Sequence, residues 1–155
     1  MEGYLFDTNH VSALFNKKSS ILAKLKLLAP NTQIRACTIT LGEIEAGHGM
    51  TKTTNQRRRD EYTAFVNETF FPNALSISTS TGRYYAKIIE RIWNKHPKPT
   101  QLSTERHLVD LGVDINDVWI AAVAWEHGLA LVTNDKMFCI KEVITKEEVE
   151  FENWL

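Results

Sequence analysis

The sequence predicts a three-layer α/β/α fold built on a central parallel sheet of four to five strands. Two observations carry this. Short apolar or β-branched runs alternate with segments of helical periodicity along the chain, and that alternation puts strands in a parallel sheet with helices on both faces. Right-handed crossovers then wind the helices to both sides. A third observation bounds the size: 155 residues at 43% hydrophobic and 24% charged suit one packed domain over residues 1–155.

The elements follow in order. Tyr4-Leu5-Phe6 is an apolar run that stops at Asp7, a buried strand and a turn. "TNHVSALF" reads as a short helix. "SSILAKLKLLA" (19–29) spaces Ile21, Leu22, Leu25 and Leu28 on one helical face, with Ser19 or Ser20 as N-cap and Pro30 beyond its end. "QIRACTI" (33–39) is the second strand. "TLGEIEAGHGM" resumes as a helix, and Thr40 with Glu43 matches the capping-box spacing. Residues 54–71 predict a charged amphipathic helix whose apolar face carries Tyr62, Phe65, Val66 and Thr69. "NALSIS" (73–78) is read as a third strand, and Ser80–Lys95 as a helix with Tyr84, Tyr85, Ile88, Ile89 and Ile92 inward. "KHPKPTQLSTERH" (95–107) is a proline-bearing loop. "DINDVWIAAVAWEHG" is a helix apolar almost all round, stopped by Gly128. "LALVT" (129–133) is the last strand, followed by a turn or short helix at 135–141 and an acidic, solvated end.

A formal net charge of −1 does not mark the whole molecule as a nucleic-acid binder, but its charge is uneven. Lys52 to Arg59 ("KTTNQRRR") holds four positive charges and no acid, and acids dominate from Lys141 to Leu155. Taken alone, either run is a solvated face. Cys37 and Cys139 form no CxxC and no disulfide framework, which favours a reducing compartment. The N-terminus lacks the pattern of a signal peptide. The longest apolar run, Val118–Trp125, is far short of the ~20 residues that span a bilayer. A soluble cytoplasmic protein without a membrane partner is expected.

Ligands of such folds sit beyond the carboxyl ends of the strands, and acids recur at that face. Asp7 follows the first strand; Glu43 lies in the helix after the second; Asp117 is in the first turn of the buried helix; Asp135 follows the last strand across Thr133 and Asn134. Each has a structural explanation by itself. Asp7 caps a helix, Glu43 completes a capping box, Asp117 complements a helix dipole behind the cap Asp114, and Asp135 closes a turn. Together they are harder to explain that way. Two carboxylates ~4 Å apart repel by on the order of 4 kcal/mol at an effective dielectric of ~20, whereas a cap contributes only ~0.5–2 kcal/mol. If the four converge, a cation must compensate them, and an all-oxygen donor set suits Mg²⁺ or Mn²⁺ rather than zinc. Such ions serve phosphoryl-transfer chemistry.

Other chemistries lack their residues. No phosphate-cradling G-x-x-x-x-G-K-[ST] or G-x-G-x-x-G is present. Asn9 stands where an aspartyl-phosphate enzyme has its second Asp. The five histidines show no H-E-x-x-H or Cys/His spacing, and no G-x-S-x-G elbow occurs. Trp119 and Trp125 fall in the buried helix; Trp93, near the loop, is the one open candidate for stacking.

"LFDTNHVSALF", "TLGEIEAG", "NDVWIAAVAWEHGLALVTND" and the closing "ENWL" resemble, in order and spacing over nearly the full chain, the PIN domain, in particular the VapC and FitB-like toxins of bacterial toxin–antitoxin pairs. The resemblance implies a Mg²⁺- or Mn²⁺-dependent endoribonuclease. It places Asp7, Glu43, Asp117 and Asp135 at the acidic positions, Thr133 at a supporting one and Asn9 at a structural turn. It also implies an RNA substrate, a small VapB-like antitoxin and a homodimer, with Arg57, Arg58 and Arg59 as candidate phosphate contacts. The alternative is a PIN-like binding module that acts with a DNA-binding partner and does not hydrolyse. Two departures stand out: "NDKMF" places Met137 where members often carry a further Asp, and the segment 95–113 is longer than in compact members.

Overall fold

The structure, a computed structural model, describes residues 3–51 and 55–155. Lys52 of the basic run and Thr54, the expected first residue of its helix, lie outside them. Four strands, β1 (Gly3–Phe6), β2 (Gln33–Arg35), β3 (Ala130–Val132) and β4 (Phe151–Glu152), form one parallel sheet in the order β2-β1-β3-β4. Leu5 pairs with Arg35 on one side and Leu131 on the other, and Leu131 pairs with Phe151. β1 approaches β2 so closely at Gly3 that a Cβ there would sit 2.4 Å from the Gln33 carbonyl oxygen.

The period of two along a strand sends successive side chains to opposite faces, which makes the three layers. Leu5 and Leu131 join one core, with Ile88 and Ile92 of α5 (Thr79–Lys95), Val118 and Ala122 of α7 (Ile115–Glu126) and Ile140 of α8 (Phe138–Lys141). Their neighbours Phe6 and Val132 join the other, with Val11 of α1 (Thr8–Phe15), Ile21 of α2 (Ser19–Leu27), Leu41 and Ile44 of α3 (Thr38–Met50) and Val66 of α4 (Gln56–Thr69). Gly128 ends α7 at φ +61°, the left-handed conformation a C′ residue needs.

Several expectations are corrected. "NALSIS" is not a strand. Phe71–Asn73 makes a 3₁₀ turn around Pro72, and Ser78 already caps α5, so only Leu75 bridges to Cys37. The fourth strand is instead β4, inside the supposed solvated end. Phe151 packs on one core and Trp154, 3% exposed, on the other. On α4, Thr69 is exposed and Phe70 is the residue that enters the core. Neither Ser19 nor Ser20 caps α2; Lys18 is the N-cap residue and makes no side-chain cap. The segment 95–113 contains a helix, α6 (Thr104–Asp110), capped by Ser103, whose Oγ accepts from Arg106 N–H at 3.2 Å. Its charged sequence hides it, because only His107 and Leu108 are buried. Trp93 is half-buried, packed edge-on against His107. Cys37 and Cys139 are free thiols, Cys37 fully buried. Among the described residues no helix is long and apolar enough to cross a membrane.

Candidate functional site

The strand order makes β1 and β3 neighbours whose following helices leave to opposite faces: Val11 of α1 lies in one core and Ile140 of α8 in the other. Such a switch point opens a crevice at the strands' carboxyl ends. Here it holds a cleft of about 430 Å³ lined by Asp7, Glu43, Asp114, Asp117 and Asp135, with Thr8, Asn9, Gly112, Ile120, Lys136 and Met137. All four predicted acids therefore meet in one cavity.

Each acid is held differently. Asp7 caps α1 and is 3% exposed; its Oδ1 accepts from the His10 backbone N–H at 2.8 Å and lies 2.8 Å from His10 Nδ1. Its Oδ2 is buried and finds no hydrogen-bond partner among the described residues. Glu43 forms no capping box. α3 begins two residues before Thr40, with Cys37 at the N-cap position, so Thr40 lies buried inside the first turn and reaches the Phe6 carbonyl at 3.5 Å. Glu43 is thereby carried forward: its Oε2 accepts from Thr8 Oγ1 at 2.5 Å and its Oε1 from Asn116 Nδ2 at 2.8 Å. Asp114 caps α7 through the Asn116 N–H at 2.8 Å, which sets Asp117 one turn in and half-buried. Asp135 is exposed, its N–H bonded to Thr133 Oγ1 at 3.0 Å. Asn9 donates to Asn134 at 2.8 Å and so ties α1 to the turn after β3, a structural role.

The electrostatics are those of crowded carboxylates. Burial, then Asp114, Asp135, Glu43 and Asp7 in turn, push Asp117 up to about 7. Burial, then Asp7 and Glu43, raise Asp135 against the opposing pull of Lys141 and His10. Lys141, drawn down by burial and up by Asp135 and Asp117, donates to the Asp135 carbonyl at 2.9 Å. Among the described residues no group of three or more His, Cys, Asp or Glu side chains is gathered as a ready-made metal-ligating set. The chemistry of the donors nevertheless fits a hard divalent cation: they are carboxylate oxygens, their neighbours help to raise Asp117 and Asp135, and one buried oxygen finds no partner among the described residues.

The arginines are not brought here. Arg57 pairs with Glu61 at 2.9 Å on the outside of α4. Arg58 and Arg59 line a separate cavity of about 310 Å³ between α1, α3 and α4, where Arg58 bonds Asn16 and lies 5.3 Å from the Phe15 ring centroid. That cavity lies further along the same two helices, α1 and α3, that wall the acidic cleft. Sequence reasoning missed Asn116, Lys141 and His10, and took Asp114 for a cap alone. Asp114 carried a visible signal, a second acid three residues before Asp117. Asn116 reaches Glu43 from 73 positions away, whereas His10 and Lys141 act on acids only three and six positions off and belong to no spacing motif that marks them. Met137, at the position of the missing further acid, is buried in the cleft wall with φ +42°.

A parallel α/β sheet whose switch point presents five acids defines the class: a protein with a carboxylate-lined site at its strand ends. The PIN domain profile matches residues 4–143, and the chain belongs to the PIN domain family. No curated protein is a significant sequence match to it. Solved structures of similar fold include VapBC2 from Rickettsia felis bound to a promoter DNA fragment (24% identity, 98% of each chain, TM-score 0.66). FitAcB from Neisseria gonorrhoeae is similar at 20% identity over 97% of this chain and 96% of that one, TM-score 0.63. VapBC-5 from Mycobacterium tuberculosis, of the VapBC toxin–antitoxin family, is similar at 22% identity over 99% of each chain, TM-score 0.60.

Proposed function

We propose that this chain is a Mg²⁺- or Mn²⁺-dependent endoribonuclease and the toxin member of a toxin–antitoxin pair. The observation that carries this is the buried, unpartnered Oδ2 of Asp7 in a cleft shared with four further carboxylates. Asp7, Asp117 and Asp135 would hold the cation, with Glu43 beside them; each Glu43 oxygen accepts one hydrogen bond and keeps a lone pair. A bound cation supplies Lewis acidity toward a phosphoryl oxygen and lowers the pKa of an attacking water. Asp117 must give up its proton to join the set, since it titrates near 7 as the cleft stands. Thr8 and Asn116 orient Glu43, Thr133 orients the Asp135 turn, and Lys141 holds that turn from the other side. Arg58 and Arg59 offer phosphate contacts to a single strand that leaves the cleft along α1 and α3; such contacts are salt-dependent and blind to sequence.

The partners belong to the same reading. Neighbours of this fold were solved as VapBC and FitAB complexes, which supports a small VapB-like antitoxin. Exposed Leu27 and Phe71 offer apolar surface for that partner or for a second copy in a homodimer. Two free thiols fit a reducing cytoplasm.

The test is cleavage of a loop-containing RNA with and without Mg²⁺, for the wild type and for Asp7→Asn. Asn still caps a helix and still offers an oxygen to His10, so the variant folds. Metal-dependent cleavage that is lost in Asp7→Asn is the expected result. Equal cleavage by both proteins rules out the assigned site.

A further inference from the structure

Asp7 is bonded unevenly, and His10 is the cause. Both His10 contacts, backbone and ring, fall on Oδ1 at 2.8 Å, which leaves Oδ2 alone. The other ring nitrogen, Nε2, accepts from the backbone N–H of Trp154 at 3.3 Å. A backbone amide can only donate, so Nε2 carries the lone pair and the ring proton sits on Nδ1, aimed at Asp7. His10 is wholly buried. Trp154 is anchored in turn: its ring meets Phe6 at 5.2 Å and Tyr4 at 4.8 Å, and its Nε1 donates to Glu152 Oε2 at 2.6 Å. The C-terminal segment therefore reaches the cleft through one imidazole.

We propose that His10 is a positioning residue for the cation site, its tautomer set by the Trp154 amide, so that Nδ1–H occupies Asp7 Oδ1 and Oδ2 is kept for the ion. This rests on the reading of the cleft as a divalent-cation site. Histidine-to-carboxylate contacts of this kind orient ligands and are worth about 10–100-fold in metal affinity. The competing account is that His10 fills the core and has no bearing on the ion.

Two substitutions separate these accounts. Asn places its amide nitrogen near the Nδ1 position and retains a donor for Asp7; Gln extends toward the Nε2 position and leaves Asp7 without its ring donor. The experiment uses the full chain as wild type, His10→Asn, His10→Gln and Asp7→Asn. It measures Mn²⁺ binding by calorimetry, Tm without metal, and the wild-type imidazole ¹⁵N shifts. Expected are an Nδ1-protonated ring, a loss of Mn²⁺ affinity of about 10–100-fold in His10→Gln, and near wild-type affinity in His10→Asn whatever its Tm. An Nε2-protonated ring, unchanged Mn²⁺ affinity in His10→Gln, or losses that track Tm in both variants would overturn the proposal. If His10→Gln does not fold, His10→Asn decides: affinity near wild type supports the proposal, and affinity as low as in Asp7→Asn sinks it. Wild type that binds no Mn²⁺ overturns the cation reading and this proposal with it. Wild type that binds, with His10→Gln unchanged, overturns this proposal alone.

Discussion

Glu43 shows how one side chain in the cleft can tie several elements together. Its oxygens take hydrogen bonds from Thr8 and Asn116, so a single carboxylate on α3 links the first turns of α1 and α7 across the cleft. Glu43→Gln keeps the length and one acceptor, and the Thr8 hydroxyl can reverse its role. Stability should therefore change by no more than about 1 kcal/mol, while RNA cleavage is largely lost. Chemical denaturation and a cleavage assay on the same preparation check this; full activity would reduce Glu43 to a linker. Asp7, Asp117 and Asp135 were legible in the sequence, because a residue just past an apolar run or in the first turn of a helix is placed by local geometry alone. Glu43 was legible as a site candidate but its cap was misread, since the N-cap position lies at Cys37 rather than at Thr40.

At the scale of elements, boundaries and edges were the weak points. β1, β3 and α7 follow from their apolar patterns because most of their residues face a core, and α5 because its inward stripe of Tyr84, Tyr85, Ile88, Ile89 and Ile92 recurs at helical spacing. α6 and β4 do not, because they are short and bury few side chains, and burial is what makes a pattern visible. Among the described residues a capping box lies at Ser78 and Thr81, where a Thr stands in for the usual Glu or Gln. Gly128 offers a clean measurement. A Cβ there would meet nothing within 4 Å, so a substitution tests conformation alone at φ +61°. Gly128→Ala should cost about 1–2 kcal/mol, the ordinary penalty for a left-handed L-residue, and Gly128→Asn less. Urea unfolding with an unchanged m-value is the check.

For the whole molecule, the acid cleft is a charge-repulsion problem that folding creates. Asp117 titrates near 7 in the folded chain against an ordinary 3.8. Between those values the native state holds a proton that the unfolded state has lost, so stability falls as pH rises from about 4 to about 7. Asp135 acts in the same direction. Metal-free protein should thus melt lower at pH 8 than at pH 5, and Asp117→Asn should flatten the dependence. A cation that binds only the native cleft should restore the loss at pH 8. A shift of roughly 2–4 °C per kcal/mol is expected for a chain of this size. Scanning calorimetry with EDTA and then with Mg²⁺ measures both effects; a Tm that rises with pH in the chelated protein would contradict the crowding of the acids.

By itself the sequence determined the parallel α/β architecture and the strand-end placement of four acids, because hydrophobic period and strand ends are local properties of the chain. Tertiary structure alone decided which oxygens are occupied and which is free. Glu43 is turned by Asn116 from 73 positions away, and Asp7 is oriented by His10, whose ring is read by Trp154 from 144 positions away. Asp7 and His10 are only three positions apart, but the Asn116 and Trp154 contacts exist only after the sheet brings β1 beside β3 and β4 beside β3. No spacing along the chain encodes a distance that the packing of two cores must set.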